Sequence, residues 1–170
     1  MKVGIVGNGF VGSAVAFGFS PQVGCHAQVM VYDIDKSKSQ DPLSDVLNES
    51  DYIFVSVPTP ANPEGTINLE IVFDVFKEIS LLNKRDNIVL LRSTVLPGTT
   101  RKLADAYKNL NIVFNPEFLT ERSAKHDFIN QARFILGGTK ASTDKTASLY
   151  RWRFGKSVPI IETDYETSEL

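Results

Sequence analysis

Gly7, Gly9 and Gly12 stand in the run Gly7-Asn8-Gly9-Phe10-Val11-Gly12, directly after a short apolar strand, Lys2-Val3-Gly4-Ile5-Val6. Each glycine at this spacing has its own task. The first allows a tight turn, the second lets the backbone approach a phosphate, and the third lets the following helix pack closely on the strand. The helix then offers unpaired N–H groups and a positive dipole end to an anion. A second apolar run, Gln28-Val29-Met30-Val31-Tyr32, closes on Asp33, 21 residues beyond Gly12. A carboxylate there suits the ribose hydroxyls of a dinucleotide. The chemistry implied is pyrophosphate binding, with the adenosine ribose on Asp33. That carboxylate repels a 2′-phosphate and so favours NAD over NADP, while Lys36 and Lys38 pull the other way.

Three further segments fall where strands end, the place where open parallel sheets bind ligands. Ser56-Val57-Pro58-Thr59-Pro60 makes a stiff turn, because the prolines fix φ and remove donors; it is either a wall of the site or only a rigid loop. Arg92-Ser93-Thr94-Val95-Leu96-Pro97-Gly98-Thr99 brings two hydroxyls to a strand end, to hold a water or an amide, or simply to cap the next helix. Asn115-Pro116-Glu117-Phe118-Leu119-Thr120-Glu121-Arg122 carries carboxylates at i and i+4. On one face of a helical turn they would suit proton handling; the plainer reading is helix-start acids favoured by the dipole.

The elements that must hold these segments alternate. Strands are expected at 2–7, 27–33, 52–57, 88–92, 111–114, 133–137 and 157–162. Helices are expected at 10–20, 42–49 with Pro42 in the first turn, 68–81 with Asn68 as N-cap, 97–108, 120–131 with Thr120 as cap, and 142–153. Tyr52-Ile53-Phe54-Val55-Ser56-Val57 is almost wholly apolar, as a parallel strand buried on both faces should be. The pattern predicts an α/β fold: a Rossmann-type, doubly wound, mainly parallel sheet with helices on both faces. Residues 164–170 read as the cap and first turn of one more helix, ending before it could pack.

At 170 residues, one domain is expected. Eighteen basic against 20 acidic residues leave a net charge of −2, which gives no general attraction to nucleic acid or an anionic membrane. Arg151-Trp152-Arg153-Phe154 interleaves basic and aromatic residues, and is read as a helix end with Trp152 buried and the arginines solvated. No apolar run approaches the roughly 20 residues of a membrane span. His26 and His126 are isolated, so no metal site is expected. The single cysteine, Cys25, fits a reducing cytoplasm and reads as a buried or loop residue.

Taken together and in order, the Gly7–Gly12 fingerprint, Asp33, Val57-Pro58-Thr59-Pro60, Ser93-Thr94-Val95 with Pro97-Gly98-Thr99, and Asn115-Pro116-Glu117-Phe118-Leu119 with Glu121 resemble the UDP-glucose 6-dehydrogenase (UDP-glucose/GDP-mannose dehydrogenase) family. The resemblance implies oxidation of the C6 alcohol of a nucleotide sugar to an acid with two NAD. It implies that Phe10, Val11, Asp33, Val57, Pro58, Thr59, Pro60, Ser93 and Thr94 touch NAD, with Lys38 beside the adenosine. Thr94 and Glu117 would position water or relay protons, and Phe118, Leu119, Thr120 and Glu121 would line the sugar-nucleotide site, Glu121 also near the nicotinamide. The tail looks like the approach to the family's central helix, the usual dimer element.

Three departures accompany the resemblance. The family's catalytic cysteine and lysine belong beyond residue 170, with the substrate domain, and Cys25 cannot stand in. Only 17 residues separate Asp33 from Asp51, where the family usually inserts a strand and helix. Arg122 replaces a glycine. The expectation is therefore an NAD-binding domain over 1–163 that lacks turnover alone, partnered by a nucleotide sugar once completed, with self-association or pairing with a separate catalytic half. The rival readings are a stand-alone NAD module or remnant, a dehydrogenase of GDP-mannose or a UDP-N-acetyl sugar, and a 3-hydroxyacid type dehydrogenase.

Overall fold

The computed structural model describes all 170 residues. Seven strands form one sheet: β1 (Lys2–Val6), β2 (Gln28–Tyr32), β3 (Tyr52–Val55), β4 (Ile88–Leu91), β5 (Asn111–Phe114), β6 (Phe134–Gly138) and β7 (Ile160–Thr163). Their order is β2-β1-β3-β4-β5-β6-β7, and every pair is parallel except β5 with β6. The helices are α1 (Phe10–Gly18), α2 (Leu43–Glu49), α3 (Glu70–Leu82), α4 (Thr99–Ala106), α5 (Ala124–Ile129), α6 (Lys140–Phe154) and the short α7 (Tyr165–Ser168).

Alternation along the strands explains the layering. Phe54, Ile88 and Leu90 point to one face, where α1, α5 and α6 bury Val15, Phe19, Phe128, Leu149 and Tyr150. Ile53, Val55, Val89 and Leu91 point to the other, against Val46 and Leu47 of α2, Phe76 and Ile79 of α3 and Leu103 of α4. Successive side chains of a strand leave on opposite faces, so a run apolar throughout feeds two cores. This is the doubly wound sheet expected from the sequence.

Several boundaries differ. Pro42 is the N-cap of α2, one place earlier than expected, and Asn68 lies outside α3, where its Oδ1 accepts the Glu70 N–H at 2.9 Å in a local turn. The helix expected over 120–131 shrinks to α5. Asp127 takes the Thr120 N–H at 2.9 Å and the hydroxyls of Thr120 and Ser123, which fixes residues 120–123 as a turn. Thr120 therefore caps nothing. Trp152 is 50% exposed, against the expectation that it is buried, and Arg153 is not simply solvated: its Nε donates to the Gly18 carbonyl at the end of α1.

Two features bear on the site. β2 is the sheet edge, and the short link after it seals that edge: Val31 N–H donates to the Asp41 carboxylate at 2.8 Å, and Val31 C=O accepts from Gln40 and Asp41 N–H. The tail also packs, contrary to the expectation that it stops short of doing so. Tyr165 is 3% exposed, Arg101 pairs with Glu166 at 3.0 Å, and the Glu169 carboxylate accepts from Gly98 N–H at 2.5 Å and Thr100 N–H at 2.7 Å.

Candidate cofactor site

Above the carboxyl end of β1 the chain turns at Gly7, whose φ is +92°. A Cβ there would lie 2.4 Å from the Ser56 carbonyl, and one on Gly12 would lie 1.9 Å from the Gly7 carbonyl. Both glycines are fixed by close backbone approach inside the protein. Gly9 differs: a Cβ on it meets nothing within 4 Å. It faces open space, and no side chain caps α1 or places an acid in its first turn. The N–H groups of that turn are thus free for an anion.

The open space is a cleft of about 250 Å³ lined by Gly9, Phe10 and Val11, by Ser56 to Thr59, by Arg92, Ser93 and Thr94, and by Glu117. The loops after β1, β3, β4 and β5 thus converge on one volume. Ser93 builds the wall: its hydroxyl accepts from Val57 N–H at 3.0 Å and donates to Val57 C=O at 2.7 Å. Its side chain is committed to the loop. The Thr94 hydroxyl makes no hydrogen bond within the chain, and the Ser56 Oγ is buried without a partner on the cleft wall. Glu117 is held by Leu119 N–H on its Oε2 at 2.7 Å, leaving Oε1 free.

At the other end, Asp33 follows β2. Its carboxylate accepts from Asn8 N–H at 2.6 Å and Asp35 N–H at 2.8 Å, while Asn8 Nδ2 donates to the Lys38 carbonyl. Asp33 and Lys38 do not line the cleft and lie on the β2 side of the glycine turn. From β2 to β4 is three strand spacings, roughly 14 Å. That suits a dinucleotide laid across the sheet: adenosine at Asp33, pyrophosphate at Gly9, the second nucleotide over Ser56, Ser93 and Thr94. The free amides, the open face of Gly9 and the orphaned Ser56 hydroxyl all fit such a group.

A second cavity, about 310 Å³, shares Arg92, Ser93, Thr94 and Glu117 with the cleft and adds Phe118, Arg133 and the tail from Thr167 to Leu170. Phe118 lines it with the Arg133 guanidinium 5.5 Å from its ring. Leu119 packs against the core, and Thr120 is engaged by Asp127. Glu121 is exposed and lines neither cavity. Because residues 117–121 are not helical, their spacing does not place Glu117 and Glu121 on one helical face. Pro60 lies outside the cleft, where its carbonyl accepts from Asn68 N–H.

Arg92, Asn115 and Tyr150 had no assigned role in the sequence. Arg92 Nη1 and the Tyr150 hydroxyl both donate to Asn115 Oδ1 at 2.5 Å, and Asn115 Nδ2 donates to the Ile135 carbonyl at 2.9 Å. Burial pushes the Tyr150 hydroxyl up to about 12. The sequence signals were a charge ending an apolar strand, for Arg92, and the first place of the Asn115–Leu119 segment, for Asn115; Tyr150 had none. No cluster of three or more metal-ligating side chains is present.

A mainly parallel sheet with a glycine turn at its first strand, an acid after the second and an open cleft between them defines a dinucleotide-binding domain. Residues 38–153 match the family model described as UDP-glucose/GDP-mannose dehydrogenase family, NAD binding domain. The chain belongs to that family, and its cofactor is NAD. It is 35% identical over 133 residues to UDP-glucose 6-dehydrogenase YwqF of Bacillus subtilis, covering 73% of this chain and 29% of that protein. It is 30% identical over 206 aligned positions to uncharacterized protein MJ1054 of Methanocaldococcus jannaschii, covering all of this chain and 23% of the relative. A GDP-mannose dehydrogenase from Pseudomonas aeruginosa, solved as a ternary complex, shares the fold with a TM-score of 0.83 at 24% identity, over 99% of this chain and 48% of that one. The chain thus spans less than half the length of each. No helix is long and apolar enough to cross a membrane.

Proposed function

We propose that this chain is the cofactor half of a nucleotide-sugar dehydrogenase that oxidises a C6 alcohol to an acid with two NAD per turnover, UDP-glucose to UDP-glucuronate. The observation that carries it is that the two cavities share one wall, made of Arg92, Ser93, Thr94 and Glu117. One runs from the free amides of α1 to Thr94 and Glu117; the other opens from Thr94 and Glu117 towards Phe118. A cofactor ring in the first and a sugar in the second would meet at those two residues. Thr94, with its free hydroxyl, orients a water or the reacting alcohol, and Glu117, fixed through Leu119, receives or returns a proton.

Cys25, the chain's one cysteine, is 5% exposed in the core beside α1, away from both cavities. It is not the thiol of such a reaction. The chain alone binds cofactor and, weakly, sugar nucleotide, without complete turnover, in a reducing cytoplasm; a separate or attached catalytic half completes it. The rival reading, a stand-alone NAD module, rests on the same buried cysteine.

Calorimetric titration with NAD, then with UDP-glucose, GDP-mannose and a UDP-N-acetyl sugar on the NADH-loaded chain, separates these. Saturable NAD binding, lowered at least tenfold in Asp33→Ala, with measurable sugar-nucleotide binding, supports the proposal. NAD binding with no response to any sugar nucleotide leaves the bare module.

A further inference from the structure

Arg92 is the largest of the fully buried side chains, 1% exposed, and it has no counter-ion. Only Nη1 is engaged, with Asn115 Oδ1 at 2.5 Å and the Tyr150 hydroxyl at 3.4 Å, both neutral partners. Nε and Nη2 are buried without partners, and no carboxylate pairs with the guanidinium. Phe128 lies 5.7 Å away, centroid to guanidinium carbon. A buried, unpaired cation is expensive to keep. It sits in the wall shared by both cavities, at the end of β4, which is the end of the cleft far from Asp33.

We propose that Arg92 tunes the cofactor site towards the reduced form. The inference rests on the NAD reading of the cleft, with the nicotinamide over Ser93 and Thr94. The oxidised ring carries a positive charge; the reduced ring carries none. In the reaction, the alcohol carbon gives a hydride to nicotinamide C4, the hydroxyl proton leaves to a base or water, and the ring loses its charge. A cation behind the wall disfavours the charged ring and leaves the neutral one untouched. Arg92 is buried, so solvent and salt screen it weakly. Glu117 lines the same walls with the opposite sign, but it is half-buried and more fully screened. Arg92 is thus a positioning residue of an electrostatic kind: buried in the shared wall, it acts through its charge and biases hydride transfer towards the cofactor.

The test is the ratio of Kd for NAD⁺ to Kd for NADH, measured by calorimetry on the full chain. Wild type should bind NADH roughly tenfold tighter or more. R92M should move the ratio about tenfold towards one, R92K should keep it, and E117Q should move it the other way. For a two-electron couple, tenfold corresponds to about 30 mV in the bound potential. Y150F removes a hydroxyl from the same cluster without touching the charge, so it should lower the Tm and leave the ratio alone. That separates electrostatics from mere structure. Should R92M fail to fold, R92Q, which retains a donor for Asn115, carries the same prediction. A ratio within twofold of wild type in the folded neutral variant overturns the proposal while leaving the NAD site standing. Failure of wild type to bind either form overturns the NAD reading and this inference with it.

Discussion

Three glycines in one turn do different physical work, and the difference can be measured. Gly12 has no room: a Cβ would sit 1.9 Å from the Gly7 carbonyl, so Gly12→Ala should destabilise by roughly 1–3 kcal/mol in urea unfolding. Gly9 has room and an ordinary backbone, φ −77° and ψ −159°. Gly9→Val should therefore keep stability within about 0.5 kcal/mol while filling the space a pyrophosphate needs. Asp33 is a less clean probe, since its carboxylate also holds the Asn8 and Asp35 N–H groups. At this scale the sequence was informative where backbone geometry demanded a residue type. It was uninformative for Arg92, because nothing in a string of letters shows that a terminal strand charge is enclosed without a partner.

The elements owe their legibility to burial. Strands apolar on both faces stood out, and their centres were placed well. What failed was decided by side chains acting locally. Asp127 draws three donors to itself and shortens α5, and its carboxyl is held below the ordinary carboxylate range by the Thr120 N–H, then by the Thr120 and Ser123 hydroxyls. The tail is the other case. Its docking on α4 runs through Glu166, whose carboxyl is lowered by its hydrogen bond from Arg101, while Asp164 caps α7 itself and is lowered by the Thr167 N–H and hydroxyl. Depressed carboxyl values mean stabilisation that is present above the unfolded values and lost as pH falls through the folded ones. The thermal midpoint of wild type should fall more steeply below about pH 4.5 than that of a D164N/E166Q variant. Parallel acid limbs would show that neither carboxyl matters to the tail. Glu169→Ala, which strips two N–H groups at the start of α4 of their acceptor, should cost about 1 kcal/mol in urea unfolding.

For the molecule as a whole, strand order matters more than strand identity. The alternation of strands and helices implied a parallel sheet, yet nothing in the spacing showed that β6 runs antiparallel to β5, because periodicity does not encode direction. The short link after Asp33 was legible as a missing insert. Its consequence needed the structure: β2 becomes the edge, and Asp41 with Gln40 closes it against further pairing. On the β2 side of the glycine turn, Asp33, Asn8 and the Lys38 carbonyl are tied to one another. The two site cavities lie over the middle of the sheet, where four loops meet, and the packed tail forms one wall of the second.

The most direct test of the central claim is a calorimetric titration of the 170-residue chain with NAD, beside Gly9→Val. We expect saturable binding by wild type, and at least tenfold weaker binding by a variant that unfolds at the same urea concentration. Equal binding by both, or none by wild type up to millimolar NAD, would contradict the assignment of this cleft to the dinucleotide.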